Sequence, residues 1–360
     1  MGKSSRKIAV LFGGPGPEHE VSLGSAGSVL AELDVLGWDV LAVGIGKDGR
    51  WFTGPGSRDL LITLADPEKL PLGVAASTEP AGPRTTTYPE PPPRSAFEGY
   101  DLVLPLCHGR WGEDGTLQGL LATYGLKVIG CGVTSSAVCF DKQVTKAVLT
   151  AAGIPVTPGV AVRRRAWTQD PEETGRVLAK QIGAGPWFVK PNRSGSSIGV
   201  TAVERAADLP AAIDEALHWD DVALVEEFVP HRELLLGVVG TGEALTVSPP
   251  LEAIQAGEFL DYTEKYRGGQ LRFDPPAGVG PEVIERARQL ATEAFEALGC
   301  EVFARVDLFL DTRDGSLLVN EVNTIPGMTA QSAFAQLMAQ TGLPFGALLE
   351  TLHQLTEEAQ

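Results

Sequence analysis

Residues 8–12 form an unbroken apolar run with β-branched members, preceded by Lys7, and the run stops at Gly13-Gly14. A short apolar run closed by glycine is the signature of a buried strand. Helical spacing follows at once, with Leu23, Ala26, Val29, Leu30 and Leu33 on one side of residues 22–36. Residues 39–45 predict a second strand, with a turn at Lys47-Asp48-Gly49. Strands at 101–106 and 126–129 enclose a helix at 115–124. This alternation predicts a parallel α/β sheet at the start of the chain.

The 360 residues suggest two or three domains. Residues 75–96 are rich in Pro, Thr and Glu and predict a surface excursion outside the core. Beyond them the pattern predicts one helix over 137–152, then strands at 159–162 and 187–190 around a helix at 170–182. A strand at 198–203, a helix at 208–218 and a strand at 223–229 complete a mixed α+β block. The last block has strands at 233–239 and 245–249 and a helix at 281–298, opened by Pro281 and stopped by Gly299. Strands at 303–310 and 316–322 and two closing helices follow.

Composition narrows the function. The formal charge of −17 argues against a nucleic-acid partner, because neutralising phosphates needs a basic surface. No apolar run approaches the roughly 20 residues of a membrane helix, and the apolar run after the basic start is too short for a signal-peptide core. Arg6 stands where a myristoylation signal needs Ser or Thr. A soluble cytoplasmic protein with no membrane partner is expected. Cys107, Cys131, Cys139 and Cys300 form no C-x-x-C pair, so buried free thiols are expected.

Five stretches could carry chemistry. In "RVDLFLDTRDGSLLVNEVN", Arg305 and Asp307 share one strand face, and Glu321 and Asn323 another. Asp314-Gly315 predicts a hairpin. A three-residue loop, Arg313 to Gly315, sets Asp307 opposite Glu321 and Arg305 opposite Asn323. A two-residue loop turns Glu321 away, so a site here needs the odd loop or a bulge. Asp, Glu and Asn offer oxygen ligands only, which suits Mg²⁺ better than zinc. A solvated hairpin face with a salt bridge stands beside that reading. In "FVKPNRSGSSIGV", Lys190 ends a strand and small residues let backbone N–H groups approach phosphate oxygens; a plain hairpin tip is the alternative. In "GGPGPEHEVSLGSAGSV" the dinucleotide fingerprint fails, and Glu18 lies near a helix N-terminus, either as a capping acid or as an acceptor for a ligand ammonium. His108 ends a strand at the sheet's carboxyl edge, where α/β ligands bind. "ALVEEFVPHRE" sets Glu226, Glu227 and Glu233 around a strand end that could meet an adenine and its ribose.

In their order along the chain these stretches resemble the D-alanine–D-alanine ligase family of the ATP-grasp superfamily. The resemblance runs through EHEVSL, HG-x-x-GEDGT-x-QG, VKP-x-x-x-GSS-x-G, EEF…RE, DY-x-x-KY, RVD and NEVNT-x-PG-x-T-x-x-S over nearly the whole chain. It implies a three-domain α/β architecture: an N-terminal parallel α/β substrate domain (1–130), a small central α+β unit (131–232) and a C-terminal α+β catalytic domain (233–360). It implies ATP and two Mg²⁺ ions, with Mn²⁺ an acceptable substitute, held by Asp307, Glu321 and Asn323. Lys142, Lys190, Ser197 and Lys265 would meet ATP phosphates, Glu226 and backbone around Phe228 and Val229 the adenine, and Glu233 the ribose. The first D-alanine would lie near Glu18 and His108, the second at Ser332. Arg305 and the Gly327 N–H would stabilise the oxyanion, and Glu18, Ser196 and Tyr266 would latch a closing loop at 255–275. The implied reaction is ATP-dependent joining of two D-alanines for a peptidoglycan precursor, by a homodimer. The rivals are a ligase for D-alanine with D-lactate or D-serine, a nucleotide-binding protein without ligase activity, and a dehydrogenase, the last weakened by the failed glycine fingerprint.

Overall fold

A computed structural model describes residues 6–54, 86–183, 185–254 and 272–358. The first sheet starts from β1 (Lys7–Gly13), followed by helix α1 (His19–Val35), β2 (Asp39–Ile45), β3 (Trp51–Thr53) and β4 (Thr86–Tyr88). Then come β5 (Leu102–Pro105), α2 (Thr116–Thr123) and β6 (Lys127–Val128). The strand order is β4-β3-β2-β1-β5-β6. The four strands from β2 to β6 are parallel as the sequence predicts, while β3 and β4 add an antiparallel edge. Of the excursion expected over 75–96, residues 86–96 are described, and they include a strand. Thr86–Tyr88 pairs with β3, and Phe97, just beyond it, is 1% exposed. Its β-branched and aromatic residues fit a pleated edge, and prolines at the strand's flank are tolerated there.

Helix α3 (Val133–Phe140) and α4 (Lys142–Ala151) replace the single helix expected over 137–152. Asp141 breaks it: its backbone is extended and its side chain accepts from the Val144 N–H, capping α4. The break puts Lys142 at the first position of α4. The second sheet follows, with β7 (Gly159–Arg163), α5 (Arg164–Gln169), α6 (Pro171–Ile182), β8 (Trp187–Pro191), β9 (Thr201–Val203), α7 (Leu209–Trp219) and β10 (Val222–Glu227). It is antiparallel in the order β7-β10-β8-β9.

The third sheet contains β11 (His231–Thr241), β12 (Ala244–Val247), β13 (Leu251–Ile254), β14 (Arg272–Asp274), β15 (Val302–Asp311) and β16 (Leu317–Asn323). Its order is β14-β13-β11-β15-β16, with β12 also on β11, all antiparallel. Helix α8 (Pro281–Ala297) buries Ala287, Leu290, Ala291, Ala294 and Phe295 against this sheet. The closing helices α9 (Ala333–Ala339) and α10 (Phe345–Glu358) do something else. Phe334, Met338 and Leu348 join Val10, Leu30 and Phe303 in one core, so the chain's end ties the first sheet to the third. No helix among the described residues is long and apolar enough to cross a membrane. All four cysteines are buried and free.

Candidate active site

The hairpin of β15 and β16 decides whether the acids meet. Arg305 pairs with Asn323 and Asp307 with Glu321, the register the site requires. Of the two routes the sequence leaves open, an odd loop or a bulge, the hairpin takes the bulge. Asp311 N–H bonds the Ser316 carbonyl, so four residues, 312–315, turn the tip. The strands nearest the tip pair Leu308 with Val319, one step out of phase. A bulge at Asn320 restores the phase before Asp307. The three-residue loop is thus corrected to a four-residue loop plus a bulge, and bulges re-aim side chains in this way.

Arg305 grips Asp307 with a fork: Nε to Oδ1 and Nη2 to Oδ2, both 2.6 Å. Asp307 is 1% exposed. Burial pushes its carboxyl up to about 7, and Arg305 pulls the other way. The set Asp307, Glu321 and Asn323 supplies two carboxylates and an amide on paired strands. That all-oxygen chemistry fits a hard divalent cation.

Lysines approach the same face from the second sheet and α4. Lys190, at the end of β8, places Nζ 2.6 Å from Glu226 Oε2 on the neighbouring β10 and 3.5 Å from Asn320 Oδ1. Lys142 Nζ donates to the Ser194 carbonyl at 2.5 Å. Burial lowers the pKa of Lys142, and Glu321 raises it. The 193–199 loop is held at its base by Asp220, which accepts from the Arg193 N–H at 2.8 Å and from its guanidinium at 2.7 Å. Ser196 and Ser197 take left-handed backbone, φ 54° and 59°, a strained conformation for non-glycine residues.

Glu18 stands at the N-cap position of α1, but its side chain makes no capping hydrogen bond. It is 6% exposed and accepts from Ser196 Oγ at 2.5 Å. Burial raises its pKa, against the Ser196 bond and Lys142. A Cβ on Gly109 would stand 2.1 Å from Glu18 Oε2, and one on Gly195 2.8 Å from Oε1, so glycine at both positions lets two loops close on the carboxyl. Glu113, unremarked in the sequence beyond its motif, accepts from the Gly109 N–H at 2.6 Å. Burial and the Glu18 charge push it up to about 8. His108 is half-buried with its Nε2 out of solvent, and desolvation pushes it down to about 4, with Arg305 adding to the effect, so it is neutral at pH 7.

On the far side, Ser332 Oγ accepts from the Thr329 N–H at 2.9 Å and lies 2.8 Å from Thr329 Oγ1. A Cβ on Gly327 would meet Ser332 Oγ at 3.3 Å. Serines of α1 hold the loops around it: Ser25 Oγ accepts from the Met328 N–H and Ser28 Oγ from the Ala330 N–H. At the outer end, Phe228 stacks on Phe188 with centroids 5.4 Å apart. The Phe228 N–H is used by the Pro186 carbonyl and the Val229 carbonyl by His231 Nδ1; the Phe228 carbonyl and the Val229 N–H have no hydrogen bond among the described residues. Glu233 makes no ion pair among the described residues. Lys265, Tyr266 and residues 255–271 of the expected closing loop lie outside the described residues.

Family models for the D-ala D-ala ligase N-terminus and C-terminus match residues 7–131 and 148–354. A D-alanine--D-alanine ligase of Deinococcus radiodurans is 40% identical over 355 residues, covering 98% of this chain and 99% of that protein. One from Prosthecochloris aestuarii is 35% identical, covering 98% of each. Among solved structures, the VanG D-Ala:D-Ser ligase from Enterococcus faecalis aligns with TM-score 0.81 at 33% identity, over 98% of this chain and 100% of that one. The D-alanine-D-alanine ligase from Coxiella burnetii aligns with TM-score 0.79 at 31% identity, over 98% and 95%. The three-sheet architecture is that of ATP-grasp ligases. The chain belongs to the D-alanine–D-alanine ligase family.

Proposed function

We propose that the chain joins two D-alanines at the expense of ATP, giving D-alanyl-D-alanine for peptidoglycan synthesis. The observation that carries this reading is the meeting of two charge sets, Arg305, Asp307, Glu321 and Asn323 on the hairpin with Lys142 and Lys190 from the central elements. The γ-phosphoryl of ATP passes to the carboxylate of the first D-alanine, forming an acyl phosphate. Such transfer needs positioning and charge neutralisation more than covalent help, and the lysines supply both. Mg²⁺, held by Asp307, Glu321 and Asn323, would neutralise phosphate charge when bound. Glu18 receives the first ammonium, with the Ser196 hydroxyl fixing its carboxyl. The second amine attacks the acyl carbon, and phosphate leaves from the tetrahedral species. Arg305 and the Gly327 N–H face the oxyanion, where one donor contributes roughly 2.7–4 kcal/mol. His108, neutral at pH 7, presents no competing positive charge to the first ammonium. Ser332 receives the second carboxylate. Glu226 with the Phe228–Val229 backbone takes the adenine, Glu233 the ribose and Ser197 a phosphate. Lys265, for a phosphate, and Tyr266, for the latch with Glu18 and Ser196, belong to the same proposal. Three units, 1–130, 131–232 and 233–360, a cytoplasmic homodimer, and two metal ions belong to the same proposal.

The similarity to a D-Ala:D-Ser ligase favours D-serine as the alternative second substrate. Product analysis with D-alanine, D-serine and D-lactate competing at equal concentration tests the choice. A dominant D-alanyl-D-alanine product is expected; a dominant D-serine or ester product overturns it.

A further inference from the structure

Lys146 stands one helical turn after Lys142 on α4, on the same face, and is as buried as Lys190. Its Nζ lies 2.9 Å from the Thr157 carbonyl and 2.6 Å from Glu226 Oε1. The other oxygen of Glu226 is 2.6 Å from Lys190 Nζ. One carboxylate, its side chain 3% exposed, is therefore held by two ammonium groups. Burial opposes ionisation of Glu226, but Lys190 and Lys146 outweigh it and hold the carboxyl below the usual range. Thr157 belongs to the strap that crosses to the third sheet, where the Val319 N–H bonds the Pro155 carbonyl at 2.8 Å. Lys146 thus ties Glu226 to both sheets.

Charge balance needs one cation for this carboxylate, and the two candidates differ. Lys190 also reaches toward Asn320 on the acidic hairpin, where the phosphates would lie. Among the described residues Lys146 contacts Glu226 and Thr157. We infer that Lys146 is a positioning residue of the nucleotide site: it keeps the Glu226 carboxylate ionised and aimed at the amino group of an adenine, which releases Lys190 to serve a phosphate. This rests on the reading of Glu226 and Lys190 as nucleotide contacts given above. Without Lys146, Lys190 must either stay with Glu226 or leave a buried carboxylate unpaired, and such groups neutralise instead. A protonated Glu226 loses its preference for an amino donor over a carbonyl.

The test compares ATP with inosine triphosphate, which carries a 6-oxo group in place of the 6-amino group, at saturating D-alanine. Lys146→Met is expected to raise KM for ATP about tenfold or more, to leave kcat within about threefold, and to narrow the ATP-over-inosine preference. Glu226→Gln is the control, because its amide can donate to a 6-oxo group; it must narrow the same preference. An unchanged preference in Lys146→Met beside a changed one in Glu226→Gln makes Lys146 structural only and overturns the inference. An unchanged preference in Glu226→Gln removes Glu226 from the base and overturns the reading beneath it. If Lys146→Met does not fold, Lys146→Arg, which keeps the charge but displaces the carboxylate, must narrow the preference by a smaller factor. An unchanged ratio there also overturns the proposal.

Discussion

The two walls of the site differ in charge and in how they are built. The hairpin wall is acidic. Its carboxylates come from neighbouring strands, their facing fixed by backbone register, and Arg305 offsets one of them. The opposite wall is cationic, with Lys142, Lys146 and Lys190 drawn from a helix and a strand and each ammonium fixed by its own partner: the Ser194 carbonyl, the Thr157 carbonyl and the Glu226 carboxylate. A chain of net charge −17 gathers three lysines on this wall, Lys142 and Lys190 toward the triphosphate of the proposed reaction and Lys146 behind Glu226. The contrast teaches that the acid wall fails all at once if the register slips, whereas the cation wall yields residue by residue.

Four substitutions probe that contrast. Glu321→Gln removes a charge from the acid wall without altering register. Turnover is expected to fall about a thousandfold, as loss of several kcal/mol of charge stabilisation requires, with an unchanged circular dichroism spectrum; wild-type phosphate release would remove Glu321 from the site. Arg305→Met is expected to cost about a hundred- to thousandfold in kcat and, by leaving Asp307 buried and unpaired, about 3–5 kcal/mol of stability in chemical denaturation. Lys142→Met touches one member of the cation wall, so a smaller loss is expected, about ten- to a hundredfold in kcat/KM for ATP. A loss equal to that of Glu321→Gln would show that the cation wall is as brittle as the acid one.

The smallest effect concerns Glu113, between the walls. Its carboxyl rises from 4.5 to about 8 on folding, so the folded protein holds a proton that the unfolded chain has lost. Stability contributed by this group therefore falls as pH rises through that window and is lowest above about 8. Glu113→Gln keeps an oxygen for the Gly109 N–H and deletes the titration. Its Tm is expected to fall less than the wild type's between pH 5 and 8; parallel curves would show that the proton is not retained.

The facing of Asp307 and Glu321 was legible because strand periodicity allows only two answers. Its cause was not: Asn320 is polar, lies inside an apolar strand and carries no turn signal, so the bulge has no mark in the pattern. The break at Asp141 was hidden because apolar spacing continues across it, although an Asp before a lysine-rich turn is a capping signal. The strand at Thr86–Tyr88 was masked by the prolines that flank it. Glu113 and Lys146 were missed for one reason: an acid in a glycine-rich loop and a lysine on a helix both look solvated until tertiary packing buries them. The Glu18–Ser196 contact spans 178 positions, which no local pattern reports.

The most direct measurement is phosphate release from ATP and Mg²⁺ with D-alanine against L-alanine as the only amino acid. The account predicts release that depends on D-alanine and is near background with L-alanine. Release that is equal for the two enantiomers, or absent with both while ATP still binds, would contradict it.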